Sequence, residues 1–372
     1  MSDHTETSYN KIIAYLLGFV SFVLFVYILI ALREILIPIT IAIFLTFLFY
    51  PLIIYLTRFK IPKWLSLVII VIVVSGLYYL VGLILVSSFS TFPEKLQAYS
   101  ENLSAFIQSL LSPFNITLKE FSEFLNIKIK EFDVESVFQK LFEAGVIQNI
   151  FNSFSGVFGD TFIAMIFWVF MIMGKDRFEE RLKHAFRGRK EFVEKNLDTI
   201  NEQLQSYIII KTILSLATSI IATVILWIFG VDFAIVWGLL TFILNYIPNI
   251  GSLIATVGPI IVSLLEYGLG LTTVSISVLL LLNQNIIGNL IEPHYLGRHM
   301  DLSPVFVLFS LIFWGWIWGI VGMFLAVPIA AAMKILFSNI GPLKPVAILM
   351  GRKTADADQV GKPAKLIKVP KE

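Results

Sequence analysis

There is no cysteine anywhere in these 372 residues. That excludes a disulfide framework, a thiolate metal site and a cysteine nucleophile. Charge is scarce too: Asp, Glu, Lys and Arg supply 15% of the chain, against 57% hydrophobic residues. This balance lies outside the soluble range, in the direction of a multi-span membrane protein. Histidine occurs only 4 times, and His294 and His299 lack a third neighbour at metal-ligand spacing. No Gly-x-x-x-x-Gly-Lys-Ser/Thr loop is present, so no nucleotide and no cofactor is expected. Nucleic-acid binding is not expected either, and nothing supports soluble enzymatic catalysis. Met1 to Asn10 is polar and mildly acidic, and the apolar stretch after it is of full-span length. That stretch reads as a retained membrane helix rather than a cleavable signal.

What the chain does have is long uncharged runs. Two of them, Phe233 to Leu265 and Leu302 to Met333, are interrupted in their middles. The first interruption is Asn245-Tyr246-Ile247-Pro248-Asn249-Ile250-Gly251; the second is Trp314-Gly315-Trp316-Ile317-Trp318-Gly319. A straight helix of about 33 residues would run about 50 Å, against a hydrocarbon core of about 30 Å. Each run therefore reads as a helical hairpin, fully crossing or re-entrant. Irregular backbone at membrane depth is tolerated only where protein or water satisfies its polar groups. In secondary transporters such breaks often line the solute site.

The expected fold is all-α: a polytopic integral membrane protein with about six full spans, two broken or re-entrant helical hairpins and a small helical extracytoplasmic module. Spans are expected at Ile12–Leu32, Ile35–Leu56, Leu65–Ser88, Thr161–Gly174, Thr212–Val231 and Leu271–Ile291. Only Arg33-Glu34 separates the first two, which predicts antiparallel neighbours. The expected organisation is 1–90 for the first three spans, 91–152 for the extracytoplasmic module and 153–174 for the fourth span. A basic cytoplasmic loop at 175–205, a transport core at 206–340 and a basic tail at 341–372 complete it. Within the module, Phe92, Leu96, Tyr99, Leu103, Phe106 and Leu110 follow helical spacing, and Asp133 is a plausible N-cap for a second helix.

Basic residues gather at Arg58–Lys63, Lys175–Lys195 and the tail, so these segments and both termini are expected on the cytoplasmic side of a bacterial inner membrane. The charge rule is consistent with the runs at 233–265 and 302–333 only if each crosses an even number of times.

A charged residue at mid-membrane costs roughly 2.5–3.5 kcal/mol on insertion scales, so each needs a reason. Lys211 opens the fifth span, with Thr212, Ser215 and Ser219 near one face. It reads either as a snorkelling lysine or as a cation lining the solute path. Asn283, Gln284, Asn285 and Asn289 cluster before Glu292-Pro293. Asn285, Asn289 and Glu292, spaced four and three apart, are predicted to share a face. Such amides suit a polyhydroxylated solute and equally suit helix packing. Gly315, Gly319 and Gly322 have small-residue spacing and are candidate hinges.

At Phe242-Ile-Leu-Asn-Tyr-Ile-Pro-Asn-Ile-Gly-Ser252, Asn289-Leu-Ile-Glu-Pro293 and Gly319-Ile-Val-Gly-Met-Phe-Leu-Ala-Val-Pro-Ile-Ala330 the chain resembles the autoinducer-2 exporter family of bacterial membrane proteins. Gly258-Pro259 stands where a Pro-Pro pair is common in that family. The resemblance implies export of a small polar solute such as a quorum-sensing signal; other members resemble sodium/proton antiporters in activity.

The reading is a secondary transporter, a permease working as a homo-oligomer in the lipid bilayer. Its solute site is expected at Asn245, Pro248, Asn249 and Gly251, faced by Asn283, Gln284, Asn285 and Asn289, with Lys211 as a further lining residue. A cation/proton antiporter is the alternative, with Glu292, then Glu266 and Asp301, as ion-coupling candidates. A membrane scaffold or sensor is the alternative of another class.

Overall fold

The computed structural model describes residues 3–114, 120, 146–185, 190–296 and 302–351. All regular structure among them is helical. The helices are α1 (Asp3–Ala31), α2 (Arg33–Arg58), α3 (Lys63–Leu111), α4 (Val146–Ala185), α5 (Lys190–Ile228), α6 (Ala234–Leu244), α7 (Ile250–Tyr267), α8 (Leu271–Gln284), α9 (Pro304–Ser338) and α10 (Lys344–Met350). α8 runs on through a π-helical stretch, Asn285–Ile291, into a last turn, Glu292–Leu296. Among the described residues, 7 helical segments are long and apolar enough to cross a membrane: Ile13–Ala31, Arg33–Arg58, Lys63–Ser88, Leu197–Ile228, Ile250–Tyr267, Leu271–Tyr295 and Pro304–Ser338. This is a polytopic membrane protein. The expected fourth span corresponds to Thr161–Lys175, a shorter apolar stretch of α4.

The first break lies between α6 and α7. The N–H groups of Tyr246 and Ile247 donate to the carbonyls of Ile243 and Leu244, while Pro248 has no N–H to continue the ladder. Asn249 then takes φ 60° and turns the chain. A Cβ at Gly251 would lie 1.8 Å from the Leu244 carbonyl oxygen, so only glycine lets α7 begin against the end of α6.

The second break lies inside α9. Ser310 Oγ donates to the carbonyl of Ala326 at 3.0 Å. In a continuous helix residues sixteen apart would be separated by about 24 Å. The two limbs, 304–318 and 320–338, therefore fold back on each other around Gly319, which has φ 63° and ψ −141°. The return limb packs so closely that a Cβ at Gly322 would lie 2.0 Å from the Trp314 carbonyl oxygen.

The hairpins point in opposite directions. α2 turns into α3 at Phe59–Pro62, and the two pack through Ile53, Leu67 and Ile70, so α2 begins and α3 ends at one end of the bundle. At that end the base of the first hairpin, Asp232 and Glu266, meets Tyr99 and Asn102 of α3. The tip of the second hairpin reaches the same end, where Trp318 Nε1 donates to the Leu29 carbonyl of α1. The hairpins meet between the ends: the ring of Tyr246 lies 4.3 Å from that of Phe324, and both pack on Phe44 of α2.

Two expectations are corrected. α1 and α2 are not antiparallel neighbours. Helical bonds run through the junction, Leu32 N–H to Ile28 O and Leu36 N–H to Leu32 O, and Leu32 has near-helical angles of φ −97° and ψ 15°. One such residue bends a helix but cannot reverse it, and along α1 Val26 is a buried apolar residue among exposed ones. Nor is the helix expected over Phe92–Leu110 a separate element: the apolar part of α3 ends at Ser88, and the helix continues unbroken to Leu111, followed by the single turn Ser112–Phe114. Asp133 and the helix expected after it lie outside the described residues.

Candidate transport site

A polar column runs down one face of α5. Lys211, Ser215 and Thr218 recur at helical spacing, and all three are buried, at 4%, 0% and 1% exposure. Buried polar groups need partners; the Thr218 hydroxyl donates within α5 to the Leu214 carbonyl at 2.8 Å, and three other elements reach the column. From the first break, Asn245 Nδ2 donates to Ser215 Oγ at 3.2 Å. The hydroxyls of Tyr246 and Thr212 share a hydrogen bond of 2.6 Å. From α8, Asn283 Nδ2 donates to the Thr218 carbonyl at 3.0 Å. From the last turn after α8, Glu292 Oε1 accepts from Lys211 Nζ at 2.5 Å. The break in the first hairpin is thus laid against the polar stripe of α5, and α8 closes the other side.

The ion pair explains how a lysine is kept inside the bundle. Removing two charges from water is costly, and close pairing with good geometry offsets that cost. The Lys211 side chain is 5% exposed and that of Glu292 21%. Approach to the pair is therefore from the Glu292 side.

One buried acceptor in the column has no partner: Asn283 Oδ1. Its orientation is set by the other end of the amide, which donates to Thr218. An unmatched buried acceptor costs about 1–3 kcal/mol, which a donor group entering the site would relieve. Trp168 Nε1 is also unmatched, but it lies in the apolar core between α2 and α4.

The other expected residues fall in several places. Pro248 and Gly251 shape the break, whereas the side chain of Asn249 is exposed. Gln284 is half-buried beside Gly288. Asn285 and Asn289 bond to each other at 2.8 Å on an exposed face. Glu292 does not share that face. The π-helical turn between them has more residues per turn than the assumed α-helix, and it brings Glu292 inward to Lys211. Glu266 lies at the base of the hairpin, bonded to Asp232 N–H at 3.0 Å and away from the ion pair. Gly315, Gly319 and Gly322 form the turn of the second hairpin. Asp301 lies outside the described residues.

Sequence reasoning missed Thr218 and the hydroxyl of Tyr246. Thr218 continues the helical spacing that Lys211 and Ser215 begin, so the pattern was available. Tyr246 was masked by its apolar neighbours. Among the described residues no group of three or more His, Asp or Glu could hold a metal ion.

Comparison with known proteins places the chain. Residues 19–341 match the model of the AI-2E family transporters. A putative transport protein of Haemophilus influenzae is 31% identical over 330 residues, covering 86% of this chain and 90% of that protein. A putative transport protein of Borreliella burgdorferi is 30% identical over 321 residues, covering 84% of each. The AI-2 transport protein TqsA of Escherichia coli K12 is 27% identical over 321 residues, covering 85% and 89%. The chain belongs to the AI-2E transporter family, a family of membrane transporters and not of enzymes.

Proposed function

We propose that this member of the AI-2E family is a gradient-driven exporter of a small polar organic solute of the autoinducer-2 class. The solute passes between the break of the first hairpin and the polar face of α5. The observation that carries this reading is the set of buried amide and hydroxyl groups along the polar face of α5, beside the Lys211–Glu292 pair, with Asn283 Oδ1 left unmatched. A polyhydroxylated solute offers hydroxyl donors and acceptors in pairs, which suits an amide and hydroxyl lining. Asn245, Asn283, Thr212 and Ser215 line the path; Pro248, Asn249 and Gly251 hold the break open. Lys211 holds Glu292 and borders the path. The name of the TqsA relative supports the solute class.

In this reading the hairpins are re-entrant or crossing elements entering from opposite faces, and 206–340 is the transport core. Gly315, Gly319 and Gly322 let the second hairpin shift. The end carrying the α3 extension faces outside, because the basic turn Arg58–Lys63 lies at the other end. The protein works as a homo-oligomer in the bacterial inner membrane, with the basic C-terminal tail cytoplasmic.

A second reading, cation/proton antiport, is favoured by the Lys211–Glu292 pair, which places a carboxylate inside the helical bundle. Flux in proteoliposomes separates the two. The exporter reading expects autoinducer-2 flux that Asn283→Leu removes and Glu292→Gln only reduces. Cation-for-proton exchange without organic solute flux would overturn it.

A further inference from the structure

α3 is longer than its membrane stretch. The apolar part is Lys63–Ser88, yet the helix continues to Leu111. The extension is roughly 35 Å long at helical rise. One of its faces grips the first hairpin. Lys95 Nζ lies 3.0 Å from Asp232 Oδ1. Tyr99 donates its hydroxyl to Asp232 Oδ2 at 2.9 Å. Asn102 Nδ2 donates to the Glu266 carbonyl at 3.1 Å. Positions 95, 99 and 102 follow four-and-three helical spacing, so a single face makes all three contacts.

The residues they hold are the two ends of the hairpin. Asp232 precedes α6, and Glu266 lies in the last turn of α7. The two ends are tied to each other by the bond from Asp232 N–H to Glu266 Oε2, 3.0 Å. The Tyr267 hydroxyl closes the base further by donating to the Phe229 carbonyl at 2.9 Å. Tyr99 lies beyond the apolar stretch of its helix and is still only 3% exposed. Burial, and then the bond to Asp232, hold its phenol well above the ordinary range, so it remains a donor at physiological pH. Lys95 is 46% exposed, and exposed ion pairs contribute little, so Tyr99 and Asn102 carry the grip. Beside it an open groove of about 310 Å³, lined in part by Asn102, Phe106, Glu266 and Tyr267, leaves space for the arm and the hairpin base to shift.

We propose that Lys95, Tyr99 and Asn102 are positioning residues: through them the α3 arm holds both ends of the first hairpin, and release of that grip sets how fast the transport site changes access. This rests on the reading of the first hairpin as a moving part of the site. Asp232 and Glu266 act here as the hairpin's handles.

The absence of cysteine gives a clean background for the test. Tyr99→Cys/Asp232→Cys, bridged in proteoliposomes by a short reducible bis-thiol reagent, should lose about tenfold or more of its maximal flux and regain it on reduction. Each single-cysteine variant, whatever its own rate, should show the same flux before and after treatment with the reagent. A bridged protein that transports at the unbridged rate overturns the proposal. Tyr99→Phe supplies a variant that should still fold. It should change the maximal rate by about threefold or more, with KM and melting temperature unchanged. A change in melting temperature alone would mean that the contact is merely structural and would also overturn the proposal. A solute-independent readout keeps this distinct from the exporter reading. Ser252→Cys, near the break, should react with an impermeant maleimide at a rate that Tyr99→Phe alters by about threefold. An unaltered rate counts against the arm even if autoinducer-2 proves not to be the solute.

Discussion

Lys211 and Glu292 are 81 positions apart in the chain, and their side chains meet inside the helical bundle as an ion pair. The contact ties α5 to the turn where α8 ends, beside the break of the first hairpin. Breaking a buried pair by removing one partner costs about 3–5 kcal/mol, whereas replacing both by apolar groups of similar size is often near neutral. Glu292→Ala and Lys211→Ala should each lower the melting temperature markedly. Lys211→Met/Glu292→Met should recover most of that loss while transport stays impaired. Full recovery of transport in the double variant, measured as proteoliposome flux, would make the pair structural only.

The amides give the complementary prediction. Asn245→Leu removes the donor to Ser215, and Asn283→Leu removes both the donor to Thr218 and the unmatched acceptor. A solute hydroxyl left unpaired against leucine loses about 1–3 kcal/mol of binding, a decrease of about fivefold to 150-fold in flux at low solute. Asn285→Leu and Asn289→Leu, on the exposed face, should leave solute flux close to that of the parent protein. Equal losses at all four positions would mean that the solute path has been drawn on the wrong side of α8.

The second hairpin depends on two glycines for different reasons. At Gly319 the backbone lies at φ 63° and ψ −141°, a region that side chains enter at about 1–3 kcal/mol. At Gly322 the obstacle is the Trp314 carbonyl, which would lie 2.0 Å from an added Cβ. Gly322→Ala should destabilise the protein by about 1–3 kcal/mol through overpacking, seen as a lower melting temperature in detergent. An unchanged melting temperature would contradict the folded-back geometry.

Topology is open to labelling because there is no native cysteine. Ser109→Cys, on the exposed α3 extension, should react with an impermeant maleimide in intact cells, and Lys60→Cys, in the turn between α2 and α3, should not. The reverse pattern would invert the proposed orientation.

Much of this architecture is legible in the sequence, because run length and charge are strong signals. The membrane helices follow from uncharged stretches, and the breaks from Pro248, Gly251 and Gly319. Three features were not legible. The α1–α2 junction looks like a reversal when only Arg33-Glu34 is counted, but one near-helical residue produces a bend. The face of Asn285, Asn289 and Glu292 was drawn at α-helical period, and a π-helical turn, which has no simple sequence signature, shifts it. The pairings Lys211–Glu292 and Tyr99–Asp232 join residues far apart in the chain, and no local pattern encodes which polar group meets which. Lys211 and Glu292 were each identifiable as polar groups in need of a reason; that each is the other's reason is tertiary information.

The most direct test of the account is flux of autoinducer-2 into or out of proteoliposomes holding the purified chain, with Asn283→Leu as the control for the site. The account predicts movement that follows the solute or ion gradient without ATP, and its loss in Asn283→Leu while the variant keeps its melting temperature. Undiminished flux through Asn283→Leu would contradict a solute path along the polar face of α5.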